Sequence, residues 1–162
     1  MKVNQIIYKP IGIVYSPFKS IEGVPIQPAG ADGIKGKIKI YTKYSEGLMN
    51  LGGFSHIILI YHFHLSKGYS LKVIPFLKDQ EQGVFATRAP KRPNQIGISV
   101  VKVNNIHENI IDISNVDIVD GTPLLDIKPY AGFFDNVKNE KNGWLSGKSR
   151  DVNKIKSDKR FL

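Results

Sequence analysis

The sequence contains no cysteine, one tryptophan and two methionines among its 162 residues. The absence of cysteine excludes disulfides, cysteine-ligated zinc, iron–sulfur clusters and thiol nucleophiles. No run of about 18 apolar residues occurs, and the first residues lack the apolar stretch of a signal peptide before Pro10. We therefore expect neither a membrane span nor secretion, and we expect a cytoplasmic protein.

Acidic residues are also scarce, with 14 Asp and Glu against 23 Lys and Arg, which gives a net charge of +9. Such an excess attracts polyanions, most obviously nucleic acid, through contacts that weaken as salt rises. Charge alone does not separate RNA, DNA and a membrane surface. The excess is spread along the chain: residues 135–162 carry eight basic and four acidic residues, a net of +4, which leaves +5 for residues 1–134.

Apolar residues mostly alternate with a period of two, which is the period of a β-strand. Residues 43–51 are the best short helix, and Gly52 and Gly53 would end it. Many short strands with little helix predict a mainly β fold, a small antiparallel barrel with short helical additions. We assign residues 1–134 to the barrel and 135–162 to a polar, basic extension, which is either a solvated tail or an arm that grips nucleic acid. The predicted strands are residues 6–15, 34–41, 56–65, 71–76, 84–87, 98–103, 110–119 and 124–129.

Several common ligand-binding motifs are missing. The glycines between residues 30 and 36 are followed by a strand-like run rather than a helix, so they do not form a dinucleotide-binding turn. Neither the full P-loop motif G-x-x-x-x-G-K-[ST] nor an HExxH zinc motif occurs; the tripeptide at residues 147–149 lacks the first glycine of the P-loop, since Asn142 stands there. A Rossmann-type cofactor site and a P-loop are therefore not expected.

Four segments carry side chains suited to chemistry. Residues 24–31 form a proline-stiffened loop around Gln27, which is either a plain connection or part of a small-molecule site. Residues 54–64 contain His62 and His64, which are either hydrogen-bonded polar groups, the more common case, or part of a metal site needing further ligands. Residues 83–99 place three cations on a rigid loop, where Arg88 could hold a carboxylate bidentately. Residues 113–130 contain several aspartates around the turn at Asp120–Pro123, and at least one of them only forms the turn.

Together these segments resemble the TsaA-like family of S-adenosylmethionine-binding β-barrel proteins, whose characterised members methylate tRNA and are called TrmO. The shared motifs occur in the same order between residues 11 and 130. The two most specific are GVFATR-x-P-x-RPN-x-IG-x-S, at residues 83–99, and DGTP-x-x-DIKPY, at residues 120–130. The others are IG-V-SP from Ile11, the loop of Pro25, Gln27 and Pro28, and Phe54-Ser55-His56.

The resemblance implies an S-adenosylmethionine-dependent methyltransferase that works as a homodimer. Its substrate would be threonylcarbamoyladenosine at position 37 of tRNA, beside the anticodon, methylated on N6. Ala29 departs from the glycine of bacterial members, but a backbone contact would tolerate it. No metal is implied. The cofactor contacts carried over by motif are Gln27, Pro28, Ala29, His64, Leu65, Arg88, Ile98, Ser114, Asn115, Val116 and Asp117.

Methyl transfer from a sulfonium requires positioning, a water-poor pocket and removal of one proton. The N6 proton beside a carbamoyl group is more acidic than that of plain adenosine, which reduces the demand on a base. We take Asp120 as the hypothetical proton acceptor, with Arg92 and Asn94 orienting the base or its carboxylate. The candidate substrate-binding residues are Lys91, Arg92, Thr122, Asp126 and Tyr130.

Two other functions remain open from the sequence. One is a regulator or adaptor that binds S-adenosylmethionine without transferring its methyl group. The other is a metal-dependent enzyme that uses the His62 and His64 face. Titration with S-adenosylmethionine and with zinc separates the metal enzyme from the other two.

Overall fold

The computed structural model describes residues 5–148 and 153–161 of the chain. Six antiparallel strands close into a barrel in the order β1-β2-β7-β6-β3-β8. The two remaining strands, β4 and β5, form a separate pair beside it. The predicted mainly β antiparallel barrel is therefore confirmed. The strands are β1 Gly12–Tyr15, β2 Lys35–Ile40, β3 His56–His62, β4 Lys72–Val73, β5 Gln82–Gly83, β6 Ile96–His107, β7 Ile110–Ser114 and β8 Thr122–Pro129.

Helix is confined to short pieces in the described residues. The α-helix α1, Gly132–Asp135, has four residues, and the other helical segments are 3₁₀ turns. None of the helices in residues 5–148 and 153–161 is long and apolar enough to span a membrane. The 3₁₀ segments are Pro28–Gly30, Thr42–Leu48, Leu51–Gly53, Val84–Ala86, Gly143–Leu145 and Lys159–Phe161.

The period-two pattern explains how the barrel is filled. In β3, Ile57, Leu59 and Tyr61 point inward and are buried, while the residues between them are only partly covered. β2 alternates in the same way, with buried Ile38 and Ile40 between exposed lysines. In a small barrel such inward side chains fill the interior, so the centre is a packed core rather than a channel. The remaining core residues are Val14, Val101, Ile111, Ile113, Val116, Ile118 and Leu124.

The long strand β6 gives the barrel its curvature. Its first half, from Ile96, pairs with β3, and its second half, to His107, pairs with β7. The register shifts between Val103 and Asn105, where β6 passes from one partner to the other. A second shift, in β3 at Ile60 and Tyr61, lies opposite Asp126 and Leu124 of β8. Such irregularities bend strands, and the one at Ile60 and Tyr61 lies at the end of the barrel that carries the cavity.

Several predicted element boundaries are wrong for local reasons. Residues 84–87 form the 3₁₀ turn Val84–Ala86 instead of a strand. The strand predicted over 110–119 ends at Ser114, because Asn115 has a φ of +67° and turns the chain. The helix predicted over 43–51 is two 3₁₀ segments, and the strands predicted over 6–15, 56–65 and 71–76 are shorter than expected.

Part of the C-terminal extension packs onto the rest of the protein. Phe161 is buried with Val73, Val84 and Ala89 in a second, smaller apolar cluster. The backbone of the extension also pairs with the loop that precedes β2, since Lys156 bridges to Pro25. The division of the chain at residue 134 stays a prediction.

Candidate ligand-binding site

A cavity of about 750 Å³ lies at one end of the barrel. Its floor is made by the end of β3 and the beginnings of β6 and β8, through Tyr61, Gly97 and Thr122. Its walls are five connecting segments, residues 21–27, 63–66, 75–77, 85–92 and 117–119, together with parts of the C-terminal extension. The lining is mainly apolar, with a few polar groups, which is the usual composition of a small-molecule site.

The first polar group is formed by two of the walls. Arg88 Nη1 donates a hydrogen bond of 2.7 Å to Gln27 Oε1. This bond joins residues 61 positions apart in sequence and brings the proline-stiffened loop against the basic loop. A guanidinium has five N–H donors, so Arg88 keeps donors for a ligand.

The second polar group lies deeper and centres on Asp117. Ser99 Oγ donates to Asp117 Oδ1 at 2.7 Å, and the Tyr61 hydroxyl lies 3.1 Å from Ser99 Oγ. Burial raises the pKa of Asp117 to about 6, although the Ser99 hydrogen bond and the Arg88 charge oppose the rise. Burial, followed by the Asp117 charge, also raises the pKa of Tyr61, so its hydroxyl stays protonated.

Gly97 makes room for this network. A Cβ atom at Gly97 would lie 2.3 Å from Tyr61 Cε2 and 2.9 Å from Phe63 Cζ. No side chain fits in that space, so the glycine is required for the two aromatic rings to pack edge to face beneath the cavity. The Tyr61 hydroxyl is thereby fixed beside Ser99.

His64 and Thr122 form a third polar group. The Thr122 hydroxyl donates to the Val119 carbonyl at 2.7 Å and lies 3.3 Å from His64 Nδ1. Burial, and then the neighbouring His62, lower the pKa of His64, so the ring is mainly neutral at pH 7. β3 ends at His62, and only His64 of the two lines the cavity. The described residues contain no group of three or more His, Asp or Glu able to hold a metal.

Ser66 adds an unsatisfied group to the lining. Its Oγ is the one buried side-chain polar atom in the described parts of the chain that has no hydrogen-bond partner. Buried polar atoms are nearly always paired in native proteins. The Ser66 Oγ is itself covered, so it is an unpaired polar atom beside the cavity and not an exposed hydrogen-bonding group.

Eight of the residues predicted from the sequence line the cavity. They come from four separate stretches of sequence that the barrel brings together. They are Gln27, His64, Leu65, Arg88, Arg92, Ile98, Asp117 and Thr122.

Arg92 has a structural task within its own loop. Its Nη1 donates to the carbonyls of Thr87 and Ala89, at 3.0 and 3.2 Å, which fixes the bend that presents Arg88. Lys91 and Asn94 belong to the same loop but do not line the cavity. The loop thus directs Arg88 and Arg92 inward.

The remaining predicted cofactor residues lie beside the cavity. Pro28 and Ala29 form the 3₁₀ turn that follows Gln27. Ser114 Oγ accepts from Asn104 Nδ2, and Asn115 Oδ1 accepts from the Gly33 amide. Val116 is fully buried in the barrel core. Of the run 114–117, only Asp117 reaches the cavity.

Three predicted residues are outside the cavity for different reasons. Asp120 Oδ2 pairs with Lys19 Nζ at 2.7 Å and its Oδ1 accepts from the Ser16 amide at 2.9 Å. These contacts, the Lys19 hydrogen bond first, lower the pKa of Asp120. Asp126 pairs with Lys128 along β8, and Tyr130 lies beside His56 past the other end of that strand.

Sequence reasoning missed several lining residues. Tyr61 and Ser99 carry the hydroxyls of the Asp117 network, and Phe85 stands 77% exposed at the cavity. Trp144 and Leu145 come from the extension, which the sequence predicts only as a solvated tail or an arm that grips nucleic acid. Ser99 and Phe85 belong to the 83–99 motif, which is the available signal, and Trp144 is the single tryptophan, around which the sequence predicts a partly ordered extension.

The fold and the site define a small β-barrel domain whose cavity presents a guanidinium, an amide, a carboxyl group and hydroxyls to a small organic ligand. The chain belongs to the tRNA-methyltransferase O N-terminal domain family, whose model matches residues 13–136. The family resemblance drawn from the motifs is therefore confirmed.

Relatives and solved structures agree with this membership. A probable S-adenosyl-L-methionine-binding protein of Pyrococcus abyssi is 51% identical over 157 residues, covering 97% of this chain and 85% of that protein. The tRNA (adenine(37)-N6)-methyltransferase of Mus musculus is 35% identical, over 86% of this chain and 34% of that enzyme. The crystal structure of TrmO from Pseudomonas aeruginosa superposes with a TM-score of 0.73 at 34% identity, over 86% of this chain and 62% of that chain.

Proposed function

We propose that the protein is an S-adenosylmethionine-dependent tRNA methyltransferase that methylates N6 of threonylcarbamoyladenosine at position 37. The observation that carries the proposal is the Arg88–Gln27 pair across an apolar cavity in a barrel of the tRNA-methyltransferase O family. The name of the Mus musculus relative supports the adenine-37 substrate. The net charge of +9 supports a nucleic-acid partner.

The cavity suits S-adenosylmethionine in size and in chemistry. Its volume of about 750 Å³ fits a ligand with an adenosine and an amino-acid moiety. Arg88 would hold the carboxylate of the amino-acid part through its fork of N–H donors. The Asp117 carboxylate would face positive charge. Pro28 and Ala29, beside Gln27, are proposed to contact the cofactor through their backbone. Ser114, Asn115 and Val116 are proposed to hold Asp117 in position.

When bound, the cofactor supplies an electrophilic methyl group on a sulfonium. The residues of this chain supply the environment for the transfer. The apolar walls exclude water, and the polar groups fix the orientation of the cofactor relative to the attacking nitrogen. Thr122 and Arg92 line the cavity and are proposed to contact the acceptor base, with Lys91, Asn94, Asp126 and Tyr130 as further proposed RNA contacts.

We also propose that the protein is a homodimer in the cytoplasm. Phe133, which is 89% exposed, lies beside Phe134, and a second copy of the chain would cover this apolar surface.

The central test uses methyl-labelled S-adenosylmethionine and total tRNA from cells with and without the threonylcarbamoyl modification. We expect label in the modified tRNA only, at the nucleoside that mass spectrometry places at position 37. Label in both tRNA pools would show that prior modification is not required. Cofactor binding without label in any RNA would favour a regulator or adaptor and would overturn the transferase proposal.

The role of Asp120 as proton acceptor stays a prediction. Its ion pair with Lys19 lowers its basicity, so Lys19 has to move for the carboxylate to take a proton. If Asp120 is the acceptor, Asp120→Asn abolishes transfer while cofactor affinity, measured by calorimetry, is unchanged. Undiminished turnover would reject the role.

Lys19→Met is the matched control for Asp120→Asn. It breaks the same ion pair but keeps the carboxylate and the Ser16 hydrogen bond. We expect Lys19→Met to keep most transfer activity. If both variants lose transfer equally, Asp120 anchors the turn between residues 117 and 122 and is not the acceptor.

A further inference from the structure

The C-terminal strap, residues 153–161, is bound to the loop that carries Gln27. Ser157 makes four hydrogen bonds to this loop. Its Oγ donates to the Ile21 carbonyl and accepts from the Val24 amide, at 2.9 Å for the latter. Its backbone amide donates to the Val24 carbonyl at 2.7 Å, and its carbonyl accepts from the Gly23 amide at 2.9 Å. The strap therefore pairs with residues 21–25 as a short antiparallel bridge.

The same strap is bound to the segments on the other side of the cavity. Phe161 is 6% exposed and packs with Val84 and Ala89, on either side of Arg88 in the basic loop. Its ring meets Phe76 edge to face at 5.2 Å. Arg160 lies over the Phe76 ring at 4.7 Å and donates to the Pro75 carbonyl at 3.1 Å.

Trp144, upstream of the strap, adds another contact to the basic loop. Its Nε1 donates to the Ala86 carbonyl at 2.7 Å, two residues before Arg88. Trp144, Leu145, Ser157, Asp158 and Phe161 all line the cavity. The extension is therefore part of the wall of the site as well as a link between its loops.

The two loops held by the strap are the two that meet in the Arg88–Gln27 hydrogen bond. Residues 21–31 and 84–92 contribute no strand to the barrel, so barrel pairing does not fix where they lie. On the cavity side they are joined by the side chains of Arg88 and Gln27. They are joined a second time by Ser157 and Phe161, four residues apart on one segment of the cavity wall.

We propose that the C-terminal strap is a positioning element of the cofactor site, in which Ser157 and Phe161 hold the two loops so that Gln27 and Arg88 meet across the cavity. The proposal rests on the proposed binding of S-adenosylmethionine there. The family model ends at residue 136, so the strap is an addition to the matched domain. The alignment with the Pyrococcus abyssi protein extends over 97% of the chain.

The experiment compares Ser157→Ala, Phe161→Ala and the control Lys156→Ala in the full-length chain. Lys156 is the neighbour of Ser157 and its side chain is exposed. The affinity for S-adenosylmethionine is measured by calorimetry and by the emission of Trp144, the single tryptophan, which lies on the cavity wall. We expect Ser157→Ala to weaken binding about five- to tenfold, the effect of losing one or two hydrogen bonds, and Lys156→Ala to leave it unchanged.

Hydrogen exchange without cofactor gives a second readout. In both strap variants we expect faster exchange at the amides of residues 21–24 and 84–89, with unchanged protection in β3, β6 and β8. Ser157→Thr keeps the hydroxyl and should restore both affinity and protection. Phe161→Leu should restore them in part, because it keeps most of the apolar contact.

The outcomes separate the two proposals. If the wild-type protein does not bind S-adenosylmethionine, the proposed function fails, while the exchange data still test the strap. If the wild type binds and both alanine variants bind equally well with unchanged loop protection, the strap proposal is overturned. Loss of protection throughout the barrel would also overturn it, because the strap would then support the whole fold.

Discussion

Arg88→Ala is expected to weaken binding of S-adenosylmethionine by about 100-fold or more, because it removes a charged fork that can make two hydrogen bonds to a carboxylate. It also removes the link to Gln27 that holds the two loops together at 2.7 Å. Arg88 is not a residue of the barrel core, so its replacement should change the thermal stability of the protein little. Calorimetric titration and a melting curve measure the two quantities.

Arg88→Lys and Lys39→Ala are the controls for this prediction. Lysine keeps the charge but has no planar fork, so it should recover only a small part of the lost affinity. Lys39 is an exposed cation on β2, and its removal should not affect cofactor binding. The loss in Arg88→Ala should persist at about 0.5 M salt, since a direct hydrogen bond is less sensitive to screening than a distant charge. If Arg88→Ala binds S-adenosylmethionine with unchanged affinity, Arg88 does not hold the cofactor.

Asp117→Asn is expected to make the protein more stable and to bind the cofactor less well. The pKa of Asp117 rises from 3.8 to about 6 on folding, mainly because burial penalises the charged carboxylate. A raised pKa means that the folded protein holds this proton more tightly than the unfolded chain, so the Asp117 contribution to stability falls as pH rises from about 4 to about 6. Asparagine does not titrate, and its amide oxygen can still accept from Ser99.

The gain in stability should therefore depend on pH. Near pH 4 the variant and the wild type should differ little, and above about pH 7 the variant should be more stable by ~1–3 kcal/mol. Urea unfolding at several pH values measures this difference. Cofactor affinity of the wild type should fall as the pH drops below about 6, and that dependence should be absent in the variant.

Ser99→Ala is the control for Asp117→Asn. It removes the hydroxyl that donates to Asp117 at 2.7 Å and leaves the carboxylate in place. We expect it to lower stability at high pH, opposite in sign to Asp117→Asn, because the buried charge then loses a hydrogen-bond donor. A destabilised Asp117→Asn protein at every pH would show that the carboxylate is needed for packing.

Many residues of the site could be predicted from the sequence because they lie in motifs that contain several functional side chains. Arg88 stood out as a cation on a loop stiffened by Pro90 and Pro93, and Gln27 as the polar side chain between two prolines. The resemblance added His64, Leu65, Ile98 and Asp117, all of which line the cavity. Val116, carried over with Asp117, is instead a core residue, since adjacent residues of an extended segment point to opposite sides.

Other features depended on contacts between distant residues. The pattern of 84–87 fits a strand, yet the segment is a 3₁₀ turn, with Val84 packed into the cluster around Phe161. Asp120 and Asp117 look alike in sequence. Asp120 forms an ion pair with Lys19 at the surface, whereas Asp117 is buried and accepts a hydrogen bond from Ser99, beside Tyr61.

The sequence by itself determined the mainly β barrel, the family and the stretches that carry the site, because strand periodicity and motif spacing are local properties of the chain. Only the tertiary structure decided which side chains face the cavity, which carboxyl group has a raised pKa, and that the C-terminal extension forms part of the wall. Those properties arise from burial and from hydrogen bonds between residues about 60 to 140 positions apart, such as Arg88 with Gln27 and Ser157 with Ile21. No local pattern encodes such pairings, since they exist only once the barrel has closed.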